Sequence, residues 1–286
     1  MLTTTHPLPY SIKRSLEDPS TILPLSSEVS VGGGSPLLIA GPCTLESYEH
    51  TVAIGLAAKA AGATVLRGSI RKPRTSPYSF QGWEKECVIW HKEAQRIHGL
   101  LTETEVLDVR DVEITAENVD ILRIGARNMQ NFVLLQEASQ SHRPIILKRH
   151  PSATIEEWLS SAEYLLNSPS CPGVILCERG IRTFEMSTRY TLDLNTVALL
   201  KEISPLPVIV DPSHAAGKRS LVAPLAKAAM AVGADGLIIE MHECPEKALC
   251  DGKQHITPEE LSEVFSSIIN HSRSKKGEQH ADLIYQ

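Results

Sequence analysis

The chain has 286 residues, 42% hydrophobic and 22% charged. This is the balance of an ordinary globular protein and excludes long disorder, coiled coil and collagen-like repeats. Its 28 Lys and Arg against 34 Asp and Glu leave a net charge of −6, which argues against a nucleic-acid or anionic-membrane binder on whole-molecule grounds.

Residues 1–10 carry Thr, His and Pro where a signal peptide needs a charged start and an apolar run. Six cysteines (Cys43, Cys87, Cys171, Cys177, Cys244 and Cys250) are scattered without a C-x-x-C pair, which points to a reducing cytoplasm. No stretch of about 18 apolar residues is present to span a bilayer. Residues 1–35 are rich in Pro, Ser and Thr, end in Val31-Gly32-Gly33-Gly34-Ser35, and read as an N-terminal arm.

Short apolar runs then recur at 37–40, 65–66, 100–101, 121–124, 145–147, 174–176, 208–210 and 237–239. Each predicts a strand buried on both faces, as in a parallel sheet. Helical periodicity fills the intervals. Thr154-x-x-Glu157 is a capping box, followed by Ile155, Trp158, Leu159, Ala162, Leu165 and Leu166 on one face. Thr257-Pro258-x-Glu260 repeats the device ahead of Leu261, Val264, Phe265 and Ile268. Strand then helix, eight times, predicts a (β/α)8 TIM barrel over residues 36–272, with a doubly wound open sheet as the competing topology. Residues 273–286, polar until Leu283-Ile284-Tyr285, read as a C-terminal tail that is disordered or docks on a neighbour.

Function in a barrel collects at the C-terminal ends of the strands. Just past the apolar runs stand Cys43; Arg67, Arg71, Lys72 and Arg74; Glu105 and Asp108; Arg127; Lys148 and Arg149; Glu178, Arg179 and Arg182; Asp211 and His214; and Glu240. Nine of the 28 basic residues fall in these segments, so an acidic protein gathers positive charge on one rim. Such a rim suits phosphates and carboxylates, which Arg and Lys hold by charge-assisted hydrogen bonds. Cys43, His214, Glu240 and Asp251 form a mixed S/N/O set suited to a divalent Mn, Fe, Co or Zn ion, although each is also compatible with a structural role; His242 is an alternative member.

These segments resemble the 3-deoxy-7-phosphoheptulonate (DAHP) synthases of type I, in the subgroup nearest the 3-deoxy-octulosonate 8-phosphate (KDO8P) synthases. The resemblance covers about residues 20 to 270. It is carried by Ile39-Ala-Gly-Pro-Cys43-Thr-Leu-Glu-Ser47, Leu66-Arg-Gly-Ser-Ile-Arg-Lys72-Pro-Arg74-Thr-Ser76, Ile124-Gly-Ala-Arg127, Leu176-Cys-Glu-Arg179, Asp211-Pro-Ser-His214 and Glu240 through Asp251. It implies a metal-dependent transferase joining phosphoenolpyruvate, erythrose 4-phosphate and water into DAHP and phosphate, the first step of the shikimate route to aromatic amino acids. By the same resemblance Cys43, His214, Glu240 and Asp251 are the metal ligands. Arg67, Lys72, Arg127, Lys148 and Arg179 surround phosphoenolpyruvate, with Asp211 also on the substrate side. Lys72, Pro73, Arg74, Thr75 and Ser76 meet the aldose phosphate, and Pro73-Arg74 points to the four-carbon sugar over the arabinose 5-phosphate of KDO8P synthases. Lys72 is placed to protonate the aldehyde oxygen or to act electrostatically; Glu105, His214 and a metal-bound water are candidates for activating water. A homotetramer or homodimer is implied.

Three segments depart from the usual family text. His150-Pro151 replaces Gly-Met, Glu243-Cys244 replaces part of a Pro-x-Pro-Glu, and Cys250 stands where Ser is common. The first suggests a reshaped loop near Lys148; the added thiols predict inactivation by peroxide and recovery with thiol reductant. Rival readings are a Schiff-base aldolase using Lys148 and a barrel that has lost catalysis. Arm and tail leave no room for a ferredoxin-like or chorismate-mutase extension, so insensitivity to Phe, Tyr and prephenate is expected.

Overall fold

In the computed structural model residues 20–282 are described, with side chains to residue 270; the segments 1–10 and Leu283-Ile284-Tyr285 lie outside them. Eight strands close into a parallel barrel: β3 (Leu37–Gly41), β4 (Val65–Arg67), β5 (Leu101–Val106), β6 (Ile121–Ile124), β7 (Ile145–Lys148), β8 (Val174–Glu178), β9 (Val208–Val210) and β10 (Gly236–Glu240). They neighbour one another in chain order, and β10 returns to β3 with Glu240 opposite Gly41. Every predicted strand is present, and the closed ring replaces the open-sheet alternative. Of the predicted runs, 100–101 grows most, because Thr102, Glu103, Thr104 and Glu105 extend β5 with polar side chains.

Helices α1 (Tyr48–Ala60), α2 (Ile89–His98), α3 (Val112–Asn118), α4 (Phe132–Ser139), α5 (Ile155–Leu166), α6 (Leu194–Ile203), α7 (Pro212–Ala216), α8 (Arg219–Ala231) and α9 (Pro258–Asp282) follow the barrel strands in turn. Both predicted capping boxes form. The Thr154 and Thr257 side chains accept the amides of Glu157 and Glu260, whose carboxylates accept back from the threonine amides at 2.8 and 2.9 Å. Helix α9 continues through Asp282, so the boundary at residue 272 falls inside it.

The core has two layers. Between strands and helices pack Leu66, Leu122, Leu147, Leu176, Trp158 and Phe265. Inside the barrel, towards the N-terminal ends of the strands, Ile39, Val65, Ile121, Ile146, Ile175, Ile209 and Ile238 form a second cluster. The described part of the N-terminal arm belongs to it: β1 (Leu23–Pro24) and β2 (Ser30–Val31) make an antiparallel hairpin whose buried Leu23 and Val31 join that inner layer. This hairpin is therefore a plug across one mouth of the barrel.

Candidate active site

Side chains alternate along a strand, so the residue two beyond an inward-facing one faces inward again. Two residues past Val65, Ile121, Ile146, Ile209 and Ile238 stand Arg67, Arg123, Lys148, Asp211 and Glu240; β5 adds Glu103 and Glu105. The upper barrel is thus filled by charge where the lower half is filled by aliphatic packing. Buried ions persist only when paired. Arg123 donates to Glu103 Oε2 at 2.8 Å, Glu105 Oε2 at 3.1 Å and Ser69 Oγ at 2.9 Å, and Lys148 Nζ donates to Asp211 Oδ2.

At the strand ends the four sequence-predicted donors converge. Gly41 makes room for the turn into Cys43: at φ +151° a Cβ there would stand 2.1 Å from the Arg67 carbonyl oxygen. Cys43 Sγ lies 3.4 Å from Asp251 Oδ2. His214 Nε2 lies 3.4 Å from Glu240 Oε1 and 4.0 Å from Asp251 Oδ2. Asp211 caps α7 by accepting the His214 amide at 2.8 Å, and its second oxygen takes His214 Nδ1 at 2.7 Å, which leaves Nε2 facing the other donors. Burial holds the His214 imidazole well below its ordinary value against the pull of Asp211 and Glu240, so the ring is neutral and able to ligate. Glu240 Oε1 is buried with no hydrogen-bond partner. A neutral imidazole aimed at a carboxylate oxygen that accepts no hydrogen bond and is faced by the Arg67 guanidinium, beside a thiol and a second carboxylate, fits a divalent ion. His242, the sequence alternative, turns instead towards Glu46, with Nε2 3.4 Å from Oε1.

Lys72 reaches the same point from the β4–α2 loop. Its Nζ is 2.6 Å from Cys43 Sγ and 3.2 Å from Asp251 Oδ2. Burial disfavours its charge, but Cys43, Glu240 and Asp251 outweigh this and raise the Lys72 ammonium above its ordinary range.

Over this floor opens a cavity of about 480 Å³. Lys72, Pro73, Arg74, Thr75 and Ser76 line it, as do Arg127, Lys148, Arg179, His214, Asp251 and Glu105. Gly125 is required beside Glu105, since a Cβ there would meet Glu105 Oε1 at 1.8 Å. Arg67 and Asp211 are fully buried and do not line the cavity. Asp211 stands behind Lys148 and His214, and Arg67 Nη2 lies 3.2 Å from Glu240 Oε1. His150 and Pro151 line the rim, but Lys148 stays in β7, in register with Cys177, so their departure leaves that lysine in place. Sequence reasoning missed Arg123, Arg189 and Tyr190, which also line the cavity, Tyr190 packed 4.4 Å beneath the Arg179 guanidinium. A lone Arg inside the run 121–124 was the available signal for the first.

The model of the DAHP synthetase I family matches residues 14–275. The chain belongs to this family. Within it, a phospho-2-dehydro-3-deoxyheptonate aldolase of Thermotoga maritima is 47% identical over 261 residues, covering 91% of this chain and 77% of the relative. A 2-dehydro-3-deoxyphosphooctonate aldolase of Syntrophotalea carbinolica is 30% identical, over 85% of this chain and 93% of that one. The crystal structure of a truncated Thermotoga maritima 3-deoxy-D-arabino-heptulosonate 7-phosphate synthase superposes with a TM-score of 0.84 at 41% identity, covering 92% of this chain and 96% of that one. The family's barrel is therefore the fold described above.

Proposed function

We propose that the protein is a DAHP synthase, condensing phosphoenolpyruvate with erythrose 4-phosphate and water to give DAHP and phosphate. The observation that carries the reading is Lys72, held against Cys43 and Asp251 at the base of a cavity with eight cationic linings and two carboxylates, Glu105 and Asp251. Two phosphorylated substrates repel each other unless the site neutralises them, and held together they gain the advantage of proximity.

Arg127 and Arg179 hold the phosphate of phosphoenolpyruvate, and Lys148 and Lys72 its carboxylate. Arg67 and Asp211 act from beneath, Arg67 on Glu240 and Asp211 on Lys148 and His214. Arg74, Thr75 and Ser76 receive the phosphate of the aldose, with Pro73 fixing the segment. The enol carbon then attacks the aldehyde carbon, and Lys72 Nζ donates the proton that the new alkoxide takes up. Water adds to the former enol carbon, Glu105 accepts its proton, and the hemiketal phosphate breaks its C–O bond, the hydroxyl proton passing to the departing phosphate as the ketone forms. Cys43, His214, Glu240 and Asp251 would hold a divalent Mn, Co, Fe or Zn ion, which when bound polarises the aldehyde oxygen as a Lewis acid.

No helix among the described residues is long and apolar enough to cross a membrane. Cytoplasmic residence and a homotetrameric or homodimeric state complete the reading.

Phosphate release measured with Mn present, erythrose 4-phosphate against arabinose 5-phosphate, tests it. Preference for the four-carbon sugar is expected, with loss of activity in EDTA and recovery with Mn. Preference for arabinose 5-phosphate assigns the octulosonate reaction instead, and trapping on Lys148 by borohydride assigns a Schiff-base aldolase.

A further inference from the structure

Behind the Cys43 centre lies another convergence of ligating side chains that the reaction does not use. Glu46, His50 and His242 each bring one ligating atom within 4.8 Å of the others, and none of them lines the cavity. Glu46 Oε1 stands 3.4 Å from His242 Nε2. Donors at about 2.0–2.1 Å from a tetrahedral zinc ion are roughly 3.3 Å apart, so this pair already has the spacing of two ligands on one ion.

The histidines also have nitrogens to offer. His242 is 4% exposed, and its Nε2, like His50 Nδ1, is buried with no hydrogen-bond partner. A buried polar atom left unpaired is destabilising, and a cation bound there supplies the missing partner. Glu243 stands behind both rings, with Oε2 3.1 Å from His50 Nε2 and 3.8 Å from His242 Nδ1. Metal-bound histidines commonly donate their second N–H to such a carboxylate. His242 Nδ1 accepts the Cys244 amide at 2.9 Å. Ligation through Nε2 therefore moves the ring proton to Nδ1 and turns that edge from Cys244 to Glu243.

We propose that Glu46, His50 and His242 form a second divalent-cation site, separate from the Cys43 centre. Two imidazoles and a carboxylate select a borderline ion of the zinc or cobalt(II) class, with a fourth position for water. The site braces the first one. Glu46 lies three residues after Cys43, and His242 two after Glu240. Glu46 Oε1 also accepts the amide of Leu249 at 2.9 Å, two residues before Asp251. An ion here ties together the segments that carry Cys43, Glu240 and Asp251. Losing it is expected to weaken metal binding at the Cys43 centre about 10–100-fold, as loss of supporting contacts does elsewhere.

Cobalt(II) titration of the full chain, by equilibrium dialysis and absorption spectroscopy, separates the sites. Thiolate ligation gives a sulfur-to-metal charge-transfer band, and the nitrogen–oxygen set gives none. Wild type is expected to bind two equivalents, one with that band. Cys43→Ala is expected to lose the band and keep the thiolate-free equivalent. His50→Ala and the isosteric Glu46→Gln are expected to lose the thiolate-free equivalent and keep the band, with circular dichroism showing each folded; if His50→Ala does not fold, Glu46→Gln decides. Absence of a thiolate-free equivalent in wild type, or its retention in a folded Glu46→Gln variant, overturns the proposal. A missing band beside an intact thiolate-free equivalent counts against the Cys43 centre instead and leaves the second site standing.

Discussion

In the proposed mechanism the chemistry turns on Lys72, which contacts both a proposed ligand sulfur and a proposed ligand carboxylate while lining the cavity. Replacing it with methionine keeps the length of the stem and removes the proton. For Lys72→Met, kcat is expected to fall about 10²–10⁴-fold, the usual share of a positioned acid, with little change in the KM for erythrose 4-phosphate. A loss confined to the KM for phosphoenolpyruvate would show that Lys72 only neutralises its carboxylate.

His91 makes a different demand. It is wholly buried on α2, its Nε2 is 2.8 Å from the Gly68 carbonyl oxygen, and burial pushes it from the ordinary value of 6.5 to about 4. Between those values the unfolded chain binds a proton that the native chain refuses. Stability therefore rises with pH across that window and is lost as pH falls through it. Urea unfolding from pH 4 to 7 is expected to show this slope reduced in His91→Gln by up to about 1.4 kcal/mol per pH unit, one proton's worth. An identical slope in both proteins contradicts it.

Among elements, strands and helix starts were legible because their signals are local. A buried parallel strand shows as an apolar run, and a capping box needs only two residues three apart, as at Thr154 and Glu157. The inner charge of the barrel was less legible. Glu105 and Arg123 stand opposite each other across β5 and β6, yet they are far apart in the chain and each merely interrupts its strand. Leu23 and Val31 carry no periodicity that marks a plug. The donors Cys43, His214, Glu240 and Asp251 have no local spacing at all, so the family resemblance had to supply what composition could not. The plug gives a prediction of its own. Leu23 is 4% exposed and fills space beside Gly173, where an added Cβ would meet it at 2.7 Å. Leu23→Ala is expected to cost about 2–5 kcal/mol in urea unfolding, with kcat/KM unchanged because the active site lies at the other mouth. Unchanged stability would mean that the hairpin adds little to the core.

For the whole molecule, the acidic average conceals a cationic interior mouth. A net charge of −6 coexists with Arg74, Arg127, Arg179, Arg182 and Arg189 around one cavity. Such a field concentrates polyanions locally and is screened by salt, with a Debye length of about 10 Å at 0.1 M. The kcat/KM for both substrates is expected to fall as ionic strength rises from about 0.05 to 0.5 M with a non-coordinating salt, more steeply than kcat. A flat profile would show that only direct contacts matter.

The pairing of β10 with β3 sets Glu240 beside the turn that carries Cys43, so the first and last barrel segments supply the same donor cluster. A nascent chain released before residue 236, or one clipped there, retains Cys43, Arg67 and Lys72 without Glu240 and Asp251. Such a fragment lacks the strand that closes the ring and two of the four proposed metal ligands. On the proposed ligand set, tight metal uptake is therefore confined to chains that extend through Asp251, and a shorter copy is marked by its failure to take up the ion.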